Sequence, residues 1–117
     1  MMKQRLLVMN GQKLLQREVN GEWKIDKISK AGEIRAGIYN IYLAKEAVKD
    51  EAIKYEGEIV HADNDFVYQK TGRDFIKHER GLFSELPVFG KNMMIRYNDK
   101  QASIQQLAAR KTRKLTR

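Results

Sequence analysis

The chain has no cysteine and a single proline, Pro87, in 117 residues. Without thiols, disulfide staples, thiolate metal sites and cysteine nucleophiles are excluded. Serine is scarce too. Ser29, Ser84 and Ser103 are the only ones, and none sits in a G-x-S-x-G elbow. No G-x-x-x-x-G-K-[ST] loop occurs, and the nearest pair, Gly90-Lys91, lacks the upstream glycine and the hydroxyl. Long hydrophobic runs are missing as well. No stretch approaches the roughly 18 apolar residues of a membrane span. The first apolar run, Leu6 to Met9, is too short for a secretory signal and runs straight into a turn. The expectation is a cytoplasmic protein with no membrane association, no cofactor and no enzymatic activity.

The last eight residues lack acids. Arg110, Lys111, Arg113, Lys114 and Arg117 follow one another without a carboxylate between them. Of the formal net charge of +8, these five leave about +3 on residues 1–109. The expected organisation is one globular domain over 1–109 and a basic, flexible tail over 110–117. Such a block is commonly solvated and often meets polyanions, and as a DNA anchor it would act through salt-sensitive counterion release.

What is present suits β-structure. Hydrophobic residues make up 42 % of the chain and include ten aromatics, enough for one core and too many for a disordered chain. RLLVMN ends at Asn10-Gly11 and QKLLQREV at Asn20-Gly21. Asn-Gly readily takes the positive φ angles of a tight hairpin, so a three-stranded meander is expected through Ile28. Ile38 to Leu43 is β-rich by residue type. Ala44 to Lys54 reads AKEAVKDEAIK, a short helix or a polar connector, and forms the internal seam. Tyr55–Ala62, Phe66–Gln69 and Asp74–His78 read as strands, separated by the Asp63-Asn64-Asp65 turn and Gly72. Leu82 to Leu86 reads as one helical turn stopped by Pro87. Met93, Ile95 and Tyr97 alternate with Met94, Arg96 and Asn98, a period-2 pattern for a half-buried strand. After the Asn98-Asp99-Lys100 turn, either a final hairpin over Gln101–Gln105 or a weakly amphipathic helix over 103–115 fits. The fold class is mainly β, or α+β. It is a small twisted antiparallel sheet or partly open barrel, with one or two short helices and the basic C-terminal tail.

Two constellations carry possible chemistry. His61, Asp63, Asp65 and His78 would meet across an antiparallel sheet and hold a divalent metal if the register allowed it. Their spacing matches no ligand motif, so His61 reads more simply as a strand residue and Asp63/Asp65 as turn caps. Lys70, Arg73, Lys77 and Arg80 interleave with Tyr68 and Phe75. That is the residue mix with which sheets hold nucleic acid, and equally a core with solvated charges.

Six segments stand out together: Met9–Gln12, Gly21–Lys24, RAGIYNIYLA at 35–44, YEGEIVHADNDFVYQKTGRDF at 55–75, Ile76–Arg80 and Ile95–Asp99. In these the chain resembles the KfrB-type domain of conjugative and broad-host-range plasmids. The resemblance implies an accessory role in plasmid maintenance and stability, or in conjugative transfer. It supplies no catalytic residues, and the tail lies outside it. Association with DNA through Lys70, Arg73, Lys77, Arg80 and the five tail residues is the first functional expectation. The alternative is a protein–protein adaptor that docks a partition or transfer protein without touching DNA.

Overall fold

Both Asn-Gly pairs form the turns expected of them in the computed structural model, which describes residues 3–87, 89–99 and 101–106. Asn10 and Gly11 have φ of 53° and 76°, and Asn20 and Gly21 have 53° and 83°. Positive φ at both central residues matches the right-handed twist of the flanking strands. The turns join β1 (Gln4–Met9), β2 (Gln12–Val19) and β3 (Glu22–Lys30) into the meander. β4 (Gly37–Tyr39) returns to β1, giving an antiparallel sheet of order β3-β2-β1-β4. Leu15 pairs with Lys27 and Gln16 with Ile25, so Asp26 is an extra residue that bulges the edge strand.

The second sheet contains β5 (Lys45–Glu46), β6 (Lys54–Ala62), β7 (Phe66–Thr71), β8 (Asp74–Glu79), β9 (Asn92–Asn98) and β10 (Gln101–Gln106). Its order is β10-β9-β6-β7-β8-β5, and only the short β5–β8 pairing is parallel. β6 serves two partners in succession. Lys54 to Glu58 pair with β9, and Glu58 to Ala62 pair with β7. A parallel bridge between Phe83 and Ala102 draws the segment after β8 towards β10. The hydrogen-bonded order remains open, so the sheet is not a closed barrel.

The 44–54 segment takes the connector alternative and not the helix. Its residues favour a helix, but an isolated stretch of this length is marginal without a packed apolar stripe. Here Ala47 packs on the core and the Val48 amide donates to Tyr55 Oη at 2.8 Å. Asp50 Oδ1 then accepts the Ala52 amide in a side-chain turn. Helical geometry among the described residues is confined to two 3₁₀ turns, Ile41–Leu43 and Arg80–Leu82. The first splits the β-rich Ile38–Leu43 run, and the second ends at Leu82, so the helical turn expected over Leu82–Leu86 is not formed there. β10 decides residues 101–106 in favour of the final hairpin, with Asp99 at φ 53° in its turn.

β6 and β7 form the middle of the molecule, because both of their faces are covered. Val60 and Tyr68 pack with Leu6, Val8, Tyr39 and Ile41 between the two sheets. On the other face Ile59 and Val67 join Met93, Ile95 and Tyr97. The first sheet differs. Its inner face is this core, but its outer face meets solvent.

Candidate functional site

Whether His61 and His78 meet depends on one residue. Ile59 pairs with Gln69, and Val67 pairs with His78. Regular pairing from Ile59 onward would set His61 against Val67, in the same row as His78. Instead the register shifts between Ile59 and His61, leaving Val60 as the extra residue and His61 opposite Tyr68. The bulge turns His61 to the face between the sheets, while His78 stays on the opposite face. Among the described residues no group of three or more His, Cys, Asp or Glu is placed to hold a metal ion. Asp63 serves its turn: Oδ1 accepts the amides of Asp65 at 2.8 Å and Phe66 at 2.7 Å.

His78 belongs to a buried polar chain. Gln69 Nε2 donates to the carbonyls of Tyr55, Gly57 and Met93 at 3.0–3.2 Å. These carbonyls lie where β6 passes from β7 to β9. Gln69 Oε1 therefore faces His78 Nε2 at 2.8 Å and accepts its proton. That leaves His78 Nδ1 to accept the Tyr97 hydroxyl at 2.6 Å. Burial holds the imidazole neutral by lowering its pKa to about 4, and it also raises that of the Tyr97 phenol. Gln69 and His78 are fully buried, and every link of the chain is satisfied. This is the polar chemistry of a strand junction. Gln69→Leu removes the donor from three carbonyls and the acceptor from His78. The expected loss is about 2–3 kcal/mol of unfolding free energy, read by urea denaturation. A loss below about 0.5 kcal/mol would show that the junction does not need the amide.

His61 accepts from Lys13 at 3.3 Å through Nδ1, so its own proton is on Nε2. Burial, then the nearby Lys13, lowers its pKa to about 4, while Asp63 acts weakly in the other direction. Lys13 is itself buried, lies 4.9 Å from the Phe89 ring centroid, and has its pKa lowered by burial and by Lys27. The Tyr68 phenol beside His61 is raised to about 12, mainly by burial.

The four basic residues of the β7–β8 hairpin are spread along its length. Lys70 Nζ donates to the Gly72 carbonyl, and Arg73 is exposed in the turn. Lys77 Nζ lies 4.7 Å over the Phe66 ring. Arg80, past the open end, donates through Nη1 to the Asp63 carbonyl at 2.7 Å. Tyr68 is buried, and Phe66 and Phe75 pack partly buried against it in the core between the sheets. The aromatic-basic mix is thus a core with charges along its margin. Arg110, Lys111, Arg113, Lys114 and Arg117 lie outside the described residues.

The surface that reading the sequence did not single out is the outer face of the first sheet. Ile38, Leu7, Leu14 and Ile28 stand opposite one another in a single row across all four strands. Ile25, Ile28 and Ile38 are 54 %, 56 % and 57 % exposed. Beside this row Arg5 is held by Gln16 Oε1 at 2.7 Å, with its guanidinium carbon 4.2 Å over the Trp23 ring. Trp23 in turn contacts Tyr42 at 6.0 Å between ring centroids. The signal in the sequence was the doublets Leu6-Leu7 and Leu14-Leu15. On a pleated strand one member of each must face away from the core.

Comparison with known proteins places this architecture in a family. A model of the KfrB domain matches residues 54–106, which span β6 to β10. A curated relative, Protein TraB of Escherichia coli, is 34 % identical over 119 residues, covering 97 % of this chain and 82 % of that protein. The likeness to that relative therefore includes both sheets, whereas the domain match falls on the second. No helix among the described residues is long and apolar enough to cross a membrane. The chain belongs to the KfrB-domain family.

Proposed function

We propose that this chain is an accessory protein of plasmid maintenance or conjugative transfer, and that it works as an adaptor docking another protein of that machinery. The observation that carries this reading is the apolar row Ile38–Leu7–Leu14–Ile28, exposed at Ile38 and Ile28 and half-buried at Leu7 and Leu14, flanked by Trp23, Tyr42 and Arg5. Contiguous apolar surface that a folded domain leaves in water marks an interaction site. Trp, Tyr and Arg are the residues that most often dominate binding energy at such sites.

A second reading, association with DNA through basic residues, is favoured by the acid-free run Arg110, Lys111, Arg113, Lys114 and Arg117. On the folded domain Lys70, Arg73, Lys77 and Arg80 remain its candidates, with three of them already in contact with neighbouring groups. Both activities fit in one molecule.

Co-purification with the full chain from plasmid-bearing cells separates them. A protein partner retained through nuclease treatment and moderate salt is the expected result. Capture that vanishes with nuclease, and with deletion of residues 110–117, would replace the adaptor reading by the DNA reading.

A further inference from the structure

We infer that the outer face of the four-stranded sheet is a seat for an acidic amphipathic helix of a partner protein. This deepens the adaptor reading and rests on it. The first argument is architectural. A sheet with apolar residues on both faces needs a layer on each. The second sheet supplies one layer, through Leu6, Val8 and Tyr39. Nothing among the described residues supplies the other, since their only helical segments are two three-residue turns. The bulge at Asp26 and the neighbouring lysines Lys24 and Lys27 guard the free edge of β3 against strand addition. The open face is therefore the better docking surface than the edge.

Charge chooses the occupant. By register, the outer face carries Lys3, Arg5 and Lys30 around its apolar centre, and Glu18 is its one acid. Glu18 is engaged by Lys3 at 3.9 Å. A second copy of the chain would set the same cations against themselves, and the chain's own 110–117 segment has the wrong sign. DNA would match the charge but would leave Leu7, Leu14, Ile28 and Ile38 without a use. A partner with carboxylates beside an apolar stripe matches both features. The four strands span about 14 Å between outer backbones, a width one helix of roughly 10 Å diameter can cover.

The test uses the full chain and three synthetic peptides of roughly 18 residues, about 27 Å when helical. One is a leucine-faced helix with glutamate flanks, the second carries lysine flanks, and the third is the scrambled acidic sequence. The acidic helix is expected to bind saturably, about tenfold or more tighter than the other two. Amide shift changes in the NMR spectrum should concentrate on β1, β2, β3 and β4. Ile28→Glu and Ile38→Glu are both at exposed positions, and each should weaken binding about tenfold or more. Lys24→Glu, on the other face of β3, should change it less than about threefold.

Equal binding of acidic and basic helices, or shifts mapping to the second sheet, would overturn the inference. So would a homodimer that Ile28→Glu dissolves. If the peptide fails while a nuclease-resistant partner is still retained, this inference falls and the adaptor reading stands. If no partner is retained in cells, the adaptor reading falls and takes this inference with it.

Discussion

Gly57→Ala is expected to destabilise the domain by about 4 kcal/mol or more, enough to leave much of it unfolded at ambient temperature. The cause is contact and not φ. A Cβ built on Gly57 would stand 1.9 Å from the Lys70 carbonyl oxygen and 2.8 Å from its carbonyl carbon. Neither atom can retreat cheaply. Lys70 is in the centre of the second sheet, paired with Glu58 on one side and Phe75 on the other. Its backbone can move only by breaking a ladder. Gly57 is also the point where β6 leaves β7 for β9, and the Gln69 amide sits on its carbonyl. The added methyl would therefore push apart the strand junction that Gln69 and His78 stitch together. Overpacking of a relaxed core costs about 1–3 kcal/mol, and a rigid backbone neighbour puts this site above that range. Gly81→Ala is the control, because no atom lies within 4 Å of the added Cβ. It should change stability by less than about 0.5 kcal/mol. Urea denaturation of the three proteins decides the matter. A Gly57→Ala protein as stable as the parent would mean that β6 can leave β7 without close approach.

The same junction shows what could be read from residues alone. Asn10-Gly11 and Asn20-Gly21 declare their turns because few other pairs accept two positive φ angles in succession. The alternation of Met93, Ile95 and Tyr97 declares β9, and all three are buried. The family motifs declared membership of the KfrB-domain family. The position of β9 beside β6, and not beside β8, carries no local signal. It follows from how the whole sheet closes over its core. The bulge at Val60 is equally silent, yet it alone decides that His61 and His78 face opposite ways. The helix formers of 44–54 left the choice between helix and connector open, because propensity counts for little when Ala47 and Tyr55 find better partners off the helix. The outer apolar face was hidden for another reason. Leu7 and Leu14 look identical to core residues until the second sheet is seen to cover the other side.

Lowering the pH from 7 to 4 is expected to remove several kcal/mol of stability, through two histidines that the fold keeps neutral. The direction follows from proton binding. In the unfolded chain each imidazole takes up a proton near its ordinary pKa of 6.5. In the fold each waits until about pH 4. Between these values the unfolded state holds more protons, so stability is intact above about 6.5 and is lost progressively as the pH falls. A shift of this size is worth roughly 3 kcal/mol per histidine, an order-of-magnitude figure.

The two environments differ, which makes their shares separable. His78 is faced by Tyr97, Gln69, Tyr55 and Phe83, with no carboxylate or cation among them, and burial alone disfavours its charge. His61 is faced by Lys13 and, further off, Lys27, with Asp63 opposing them. Its protonation would put two cations at contact distance inside the interface between the sheets. His61→Asn keeps an acceptor for the Lys13 ammonium in its side-chain oxygen and cannot be protonated. Urea denaturation at steps from pH 7 to pH 4 should therefore show the parent losing stability about twice as steeply as His61→Asn. The residual slope in the variant belongs to His78. A parent whose stability is flat between pH 6.5 and 4.5 would show that both rings reach solvent when protonated, and that the sheets separate there at little cost.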